Sequence, residues 1–118
     1  MKLIIAGSRN LNISHETLEI LLYEMIGKSP DEIISGTARG IDTLGEDIAN
    51  GKSIKIKQFP ADWEKHGKAA GPIRNKEMAE YADALLLIWD GESKGSKNIK
   101  ENMVKLHKPI YEVILRKP

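Results

Sequence analysis

Three short stretches of the chain put glycine beside hydroxyl or basic side chains. They are Gly7-Ser8-Arg9, Ser35-Gly36-Thr37-Ala38-Arg39-Gly40, and the run from Asp90 through Gly91, Glu92, Ser93, Lys94 and Gly95 to Ser96. Where such a stretch leads from a strand into a helix, free backbone N–H groups and the positive end of the helix dipole hold an anion such as phosphate, and glycine lets it come close. Arg9 and Arg39 could then add bidentate contacts to phosphate or carboxylate, and Ser8, Ser35, Thr37, Ser93 and Ser96 could donate hydroxyl hydrogen bonds. Any one of these loops reads equally well as a turn with a capping serine. Three at one crevice shift the balance to ligand binding. Asp42, Glu46 and Asp47 form an acidic group that could touch a ribose hydroxyl or a metal, although acids near a helix start also simply complement its dipole. Asp42 is the best placed of them, and Arg74-Asn75 could face a ligand or a partner subunit.

Other chemistries lose support. Cysteine is absent, which excludes disulfides, a thiolate nucleophile and cysteine-based metal centres. His15, His66 and His107 are scattered with no second ligand at metal spacing, so no metal site is expected, and Asp62 with His66 is a weak pair. The glycines match neither a Gly-x-Gly-x-x-Gly fingerprint nor a P-loop, so no dinucleotide or other cofactor is expected. Trp63 sits among charges as either a core anchor or a base-stacking lid, and the anchor is the first expectation. Eighteen Lys and Arg balance seventeen Asp and Glu, so a nucleic-acid partner is unlikely on charge alone. The opening apolar run is too short for a signal peptide and no later segment reaches membrane-spanning length, which makes a cytoplasmic protein without a membrane partner the expectation.

The elements that must position these residues follow from the apolar pattern. Continuous apolar runs at Lys2–Ala6 and Ala84–Trp89 suit central strands buried on both faces. Shorter strands fall at Asp31–Ser35 and Ile110–Leu115, and Ser53–Phe59 alternates like a strand with one wet face. Between them come helices: one from Ser14 to Gly27 with Leu18, Leu21, Leu22, Met25 and Ile26 on its stripe, and one carrying Ile41, Leu44, Ile48 and Ala49 up to Gly51. Two more run from Pro72 to Tyr81 and over Asn98–His107, and residues 60–71 read as a polar loop. The pattern predicts one domain, 1–118, of α/β class: a three-layer Rossmann-like sandwich with a parallel five-stranded sheet in the order 3-2-1-4-5. That order places a topological switch between the first and fourth strands, where the three glycine loops converge.

With these residues in place, the chain resembles the SLOG superfamily of Rossmann-like proteins, in its small single-domain branch related to YspA and YpsA. The resemblance rests on Gly7-Ser8-Arg9, Ser35 to Asp42, Phe59-Pro60-Ala61-Asp62-Trp63 with His66-Gly67, Ala70 to Asn75, and Trp89 to Ser96. It implies binding of a nucleotide or nucleotide-derived small molecule, as a sensor or sequestering module. Relatives in that superfamily include phosphoribohydrolases, whose loop after the fourth strand carries a glutamate used in N-glycosidic cleavage. Ile99 stands at the matching position here, which leaves enzyme activity open, with Asp42 and Glu92 as the candidate carboxylates for an N-glycosidic hydrolase. A third class, single-strand DNA binding, resembles a DNA-processing relative but lacks a basic excess, and homo-oligomerisation stays open.

Overall fold

The computed structural model describes residues 1–116. Five parallel strands, β1 (Lys2–Gly7), β2 (Glu32–Ser35), β3 (Lys55–Gln58), β4 (Ala84–Trp89) and β5 (Ile110–Ile114), form a sheet in the order β3-β2-β1-β4-β5. The two apolar runs form the central pair as expected, Leu3 facing Ala84 and Gly7 facing Ile88 in register. Buried on both faces, β1 and β4 need no polar alternation, whereas β3 at the edge alternates and β5 carries Glu112.

Helices α1 (His15–Met25) and α2 (Ile41–Gly51) cover one face, where Leu18, Leu22, Ile41, Ile48 and Ala49 pack on Leu3, Ile5, Ile33, Leu86 and Ile88. The other face is covered by α4 (Ala70–Tyr81) and α5 (Lys94–Lys105), whose Met78, Ala79, Ile99 and Met103 meet Ile4, Ile34, Leu85 and Leu87. Ser14 caps α1, accepting the Thr17 N–H at 3.0 Å, and Gly27 with φ +77° follows its end. Residues 117 and 118, the last of the expected domain span, lie outside the described residues.

Several element ends fall one or two residues from the expected ones, and two segments differ by more. Residues 60–71 are not a loop: Asp62 accepts the Lys65 N–H at 3.0 Å and starts the one-turn helix α3 (Trp63–His66), a 3₁₀ turn follows at Gly67–Ala69, and α4 begins at Ala70. A single turn is too short to show an apolar stripe, so capping alone announces it. Similarly, α5 starts at Lys94 rather than at Asn98. Its first turn is polar, so the apolar period becomes visible only at Ile99, but Ser93 caps it and the Asp90 carboxylate accepts the Glu92 and Ser93 N–H groups at 2.8 and 2.9 Å.

Candidate functional site

A crevice of about 300 Å³ opens at the carboxyl ends of β1 and β4, the topological switch of the sheet. Its floor is apolar, made by Ala6, Met78 and Ile99, and its walls carry Arg9, Asp42, Arg74 and Lys94 with the hydroxyls of Ser8, Ser93 and Ser96. Gly7, the last residue of β1, leaves no room for a side chain: an added Cβ would lie 1.9 Å from the Ile88 carbonyl oxygen and 2.8 Å from Ile41. Gly40, at φ +77°, lets α2 start against the Ser8 and Arg9 carbonyls, 3.0 Å from where its Cβ would be. Both glycines therefore serve the close approach of backbone segments that shapes the crevice.

Each wall is tied down. Ser8 Oγ and the Asp90 N–H are 3.1 Å apart, which joins the loop after β1 to the loop after β4. Asn75 Nδ2 donates to the Gly95 carbonyl at 3.2 Å and to Asn98 Oδ1 at 3.0 Å, holding the first turn of α5 against α4. Arg74 donates through Nη1 to the Gly36 carbonyl and through Nε to Asn75 Oδ1 at 2.9 Å, leaving further guanidinium donors uncommitted to these bonds. Ser35, behind the wall, bonds Glu46 at 2.5 Å and accepts the Thr37 N–H at 3.0 Å.

The electrostatics oppose a buried acid to a cationic wall. Asp42 is 5% exposed and accepts the Ala38 N–H at 3.2 Å. Burial pushes its pKa up to about 6, against the pull of the Ala38 N–H and the Arg74 charge. Burial, with the like charge of Arg9, lowers the Arg74 pKa from its ordinary value, and Asp42 opposes this shift. The two groups flank Gly36, where an added Cβ would stand 2.9 Å from Arg74 Nη1 and 3.0 Å from Asp42 Oδ2. Among the described residues neither forms an ion pair. The Asp90 carboxylate sits below its usual range because two backbone N–H groups bond it, and it orders the α5 entry.

Most of the residues singled out from sequence converge here: Gly7, Ser8, Arg9, Ala38, Asp42, Arg74, Asn75, Asp90, Ser93, Lys94, Gly95 and Ser96 all line the crevice. Ser35 and Gly36 are buried behind it and Thr37 is exposed. Arg39 and Gly40 line a different hollow with Ile13, Thr43 and Asp47, because Gly40 turns the chain before α2 starts. Gly91 and Glu92 are exposed and do not line the crevice. Trp63 is not the expected core anchor: it is 54% exposed. Sequence reasoning missed Asn10 and Met78 as lining residues, Met78 because its apolar helical spacing signals core, whereas Ile99, matched in sequence to the relatives' glutamate position, does line the crevice. No group of three or more metal-ligating side chains occurs among the described residues, and no helix among them is long and apolar enough to cross a membrane.

No family model matches the chain. In structure it is similar to DNA processing protein A (DprA) from Streptococcus pneumoniae, with a TM-score of 0.74 at 16% identity over 94% of this chain. The chain spans about half of that protein, 49% of its length. This likeness shows a Rossmann-like fold. In sequence the chain is 31% identical over 117 residues to the Gene 61 protein of Mycobacterium phage D29, covering 92% of this chain and 93% of that one. A match of this identity along nearly the whole of both chains shows common descent, and the chain belongs to the family of that phage Gene 61 protein.

Proposed function

We propose that the crevice binds a mononucleotide or a nucleotide-derived small molecule, in keeping with the small YspA-related branch of SLOG proteins. The observation that carries this reading is Arg74: a largely desolvated guanidinium that pairs with no carboxylate among the described residues, beside Arg9 and across from the buried Asp42. A cation kept in such a position stabilises an anion brought to it. Phosphate then sits between the two arginines and the first turn of α5, Asp42 accepts a ribose hydroxyl, and the sugar or base covers the apolar floor of Ala6, Met78 and Ile99. The volume lies at the small end of the roughly 300–1,000 Å³ usual for small-molecule sites, which favours one nucleotide over a dinucleotide.

Calorimetry with nucleoside mono-, di- and triphosphates, ribose 5-phosphate and inorganic phosphate tests the reading. The expected result is binding that Arg74→Met weakens by about 10- to 100-fold, the worth of one charge-assisted contact. Arg39→Ala should change it much less, since Arg39 lines another hollow. Absence of binding to every probe, or unchanged affinity in Arg74→Met, would overturn it.

Asp42 also favours a second reading, N-glycosidic hydrolysis, because a carboxyl titrating near 6 in a crevice suits general acid–base work. Against it, Ile99 occupies the lining with neither charge nor lone pair, and Glu92 is exposed and does not line the crevice. Incubation with nucleoside monophosphates and chromatography for free base decides between the two, and no release above background is expected.

A further inference from the structure

The two edges of the sheet are built differently. On one side β3 exposes Lys55, Lys57 and Gln58, the kind of charged margin that keeps an edge strand from pairing with another chain. On the other side β5 presents Ile110-Tyr111-Glu112-Val113-Ile114, and its one acid is already engaged: Glu112 accepts from Lys100 Nζ at 3.0 Å and from Trp89 Nε1 at 2.7 Å. Side chains alternate across this strand. Tyr111, Val113 and Leu115 lie half-buried on the α1 and α2 side, and Ile110 and Glu112 lie half-buried on the α5 side. Ile114 is 45% exposed, and Val104, one turn of α5 beyond Lys100, is 56% exposed, so the apolar margin continues onto the helix beside the strand.

The backbone of β5 sorts its residues in the same way. The Leu115 N–H bonds the Trp89 carbonyl at 2.8 Å and the Pro109 carbonyl accepts the Leu85 N–H at 3.0 Å, so odd-numbered residues direct their backbone groups at β4. The N–H and C=O groups of Ile110, Glu112 and Ile114 therefore point away from the sheet, which has no further strand on that side. Two copies of this edge pair antiparallel only where such even-numbered residues meet. A two-fold axis at Glu112 sets the two Glu112 carboxylates directly opposite, a destabilising pair. An axis at Tyr111 leaves the exposed Ile114 opposite Lys108, before the strand begins. An axis at Val113 avoids both: Glu112 faces the second copy's Ile114, Tyr111 faces its Leu115, and Val113 meets its own counterpart. The exposed Arg116 then comes diagonal to the second copy's Glu112, so the charges at the joint are complementary.

From this arrangement we infer that the β5 edge is a docking surface for a second copy of this chain, paired antiparallel about a two-fold axis at Val113. The pairing joins two five-stranded sheets into one continuous sheet, gives the outward backbone groups of Glu112 and Ile114 their partners, and takes water from the apolar residues on both faces of β5. It is isologous and consumes the apolar edge, while the lysines of β3 guard the other, so assembly stops at the dimer. The crevice lining contains no residue of β5, and the inference does not depend on the nucleotide reading.

Sedimentation velocity between about 5 and 500 µM protein tests it, with the micromolar Kd expected of so small a contact. The wild-type chain should pass from monomer to dimer mass and no further. Ile114→Glu sets like charges opposite at two places in the dimer and should weaken it by about 10-fold, whereas Ile114→Lys, facing Glu112, should stay within about threefold of wild type. Ile114→Pro removes an outward N–H and no bond to β4, so it should weaken the dimer by about 10-fold with unchanged circular dichroism. The chain has no cysteine, so a disulfide in a single-cysteine variant forms only between copies. Val113→Cys should cross-link under mild oxidation and Ile114→Cys far more slowly, because only a residue on the axis meets itself at disulfide distance. Any of five results would overturn the proposal: monomer at every concentration, mass growing beyond the dimer, unchanged affinity in Ile114→Glu or Ile114→Pro, Ile114→Lys as weak as Ile114→Glu, or equal cross-linking of the two cysteine variants.

Discussion

Replacing Asp42 by asparagine should make the protein more stable at neutral pH, and the size of the effect follows from its burial. The folded-state pKa of about 6 lies above the ordinary 3.8, so the folded protein binds this proton more tightly than the unfolded chain does. The group's contribution to stability is fully present below pH 3.8 and is lost as pH rises through about 6. Above that, an ionised Asp42 costs about 3 kcal/mol, because each tenfold difference in proton affinity is worth roughly 1.36 kcal/mol. Its side chain is almost wholly buried, so little solvent screening reduces that figure. An asparagine oxygen can still accept the Ala38 N–H, but the amide cannot also accept from the Gly7 N–H that favours the carboxylate. The expected gain is therefore about 2 kcal/mol at pH 7.5, roughly 8 °C in Tm for a domain of this size. Urea unfolding of both proteins from pH 3.5 to 8 measures it: the two curves should run close together at low pH and diverge between about pH 4 and 7. A pH-independent difference, or a less stable variant at pH 7.5, would refute the claim that the site holds a destabilising buried charge. If the carboxylate serves the ligand, the stabilised variant should also bind nucleotide more weakly, as expected where stability is given up at a site for function.

Other perturbations probe the frame around the crevice. Lys108 Nζ donates to the Ala79, Glu80 and Ala82 carbonyls at 2.7, 3.0 and 2.7 Å, closing the end of α4; Lys108→Met should cost about 2 kcal/mol in urea titrations, the worth of charged hydrogen bonds at a helix C-terminus. Gly7→Ala forces a Cβ to within 1.9 Å of the Ile88 carbonyl oxygen, and should cost about 3 kcal/mol or prevent folding, as read by circular dichroism. Asn75→Ala releases the first turn of α5 from α4; thermal melts should show a loss of about 1–3 kcal/mol, and nucleotide affinity should fall with it.

The chain order of apolar runs was sufficient to specify the sheet. Parallel strands buried on both faces must be continuously apolar, so β1 and β4 announce themselves as the centre, and right-handed crossovers leave the order β3-β2-β1-β4-β5. The switch point, and with it the meeting of Ser8, Asp42 and Ser93, follows from that order. Sequence alone also showed that cysteine chemistry is absent. What it did not show depends on contacts between residues far apart in the chain. Arg9 and Arg39 look equivalent as loop arginines, yet Gly40 turns the chain so that Arg39 faces another hollow, and Arg74, thirty-eight residues beyond Gly36, bonds that glycine's carbonyl at the crevice wall. Trp63 has the composition of an anchor but stands open, because the one-turn helix that carries it is set by the Asp62 cap rather than by burial of its ring. The acidity of Asp42 is a property of the low-dielectric space that α2 and β1 enclose, and no local pattern encodes that space. Net charge is a sum over the chain, whereas a binding surface depends on where the charges lie.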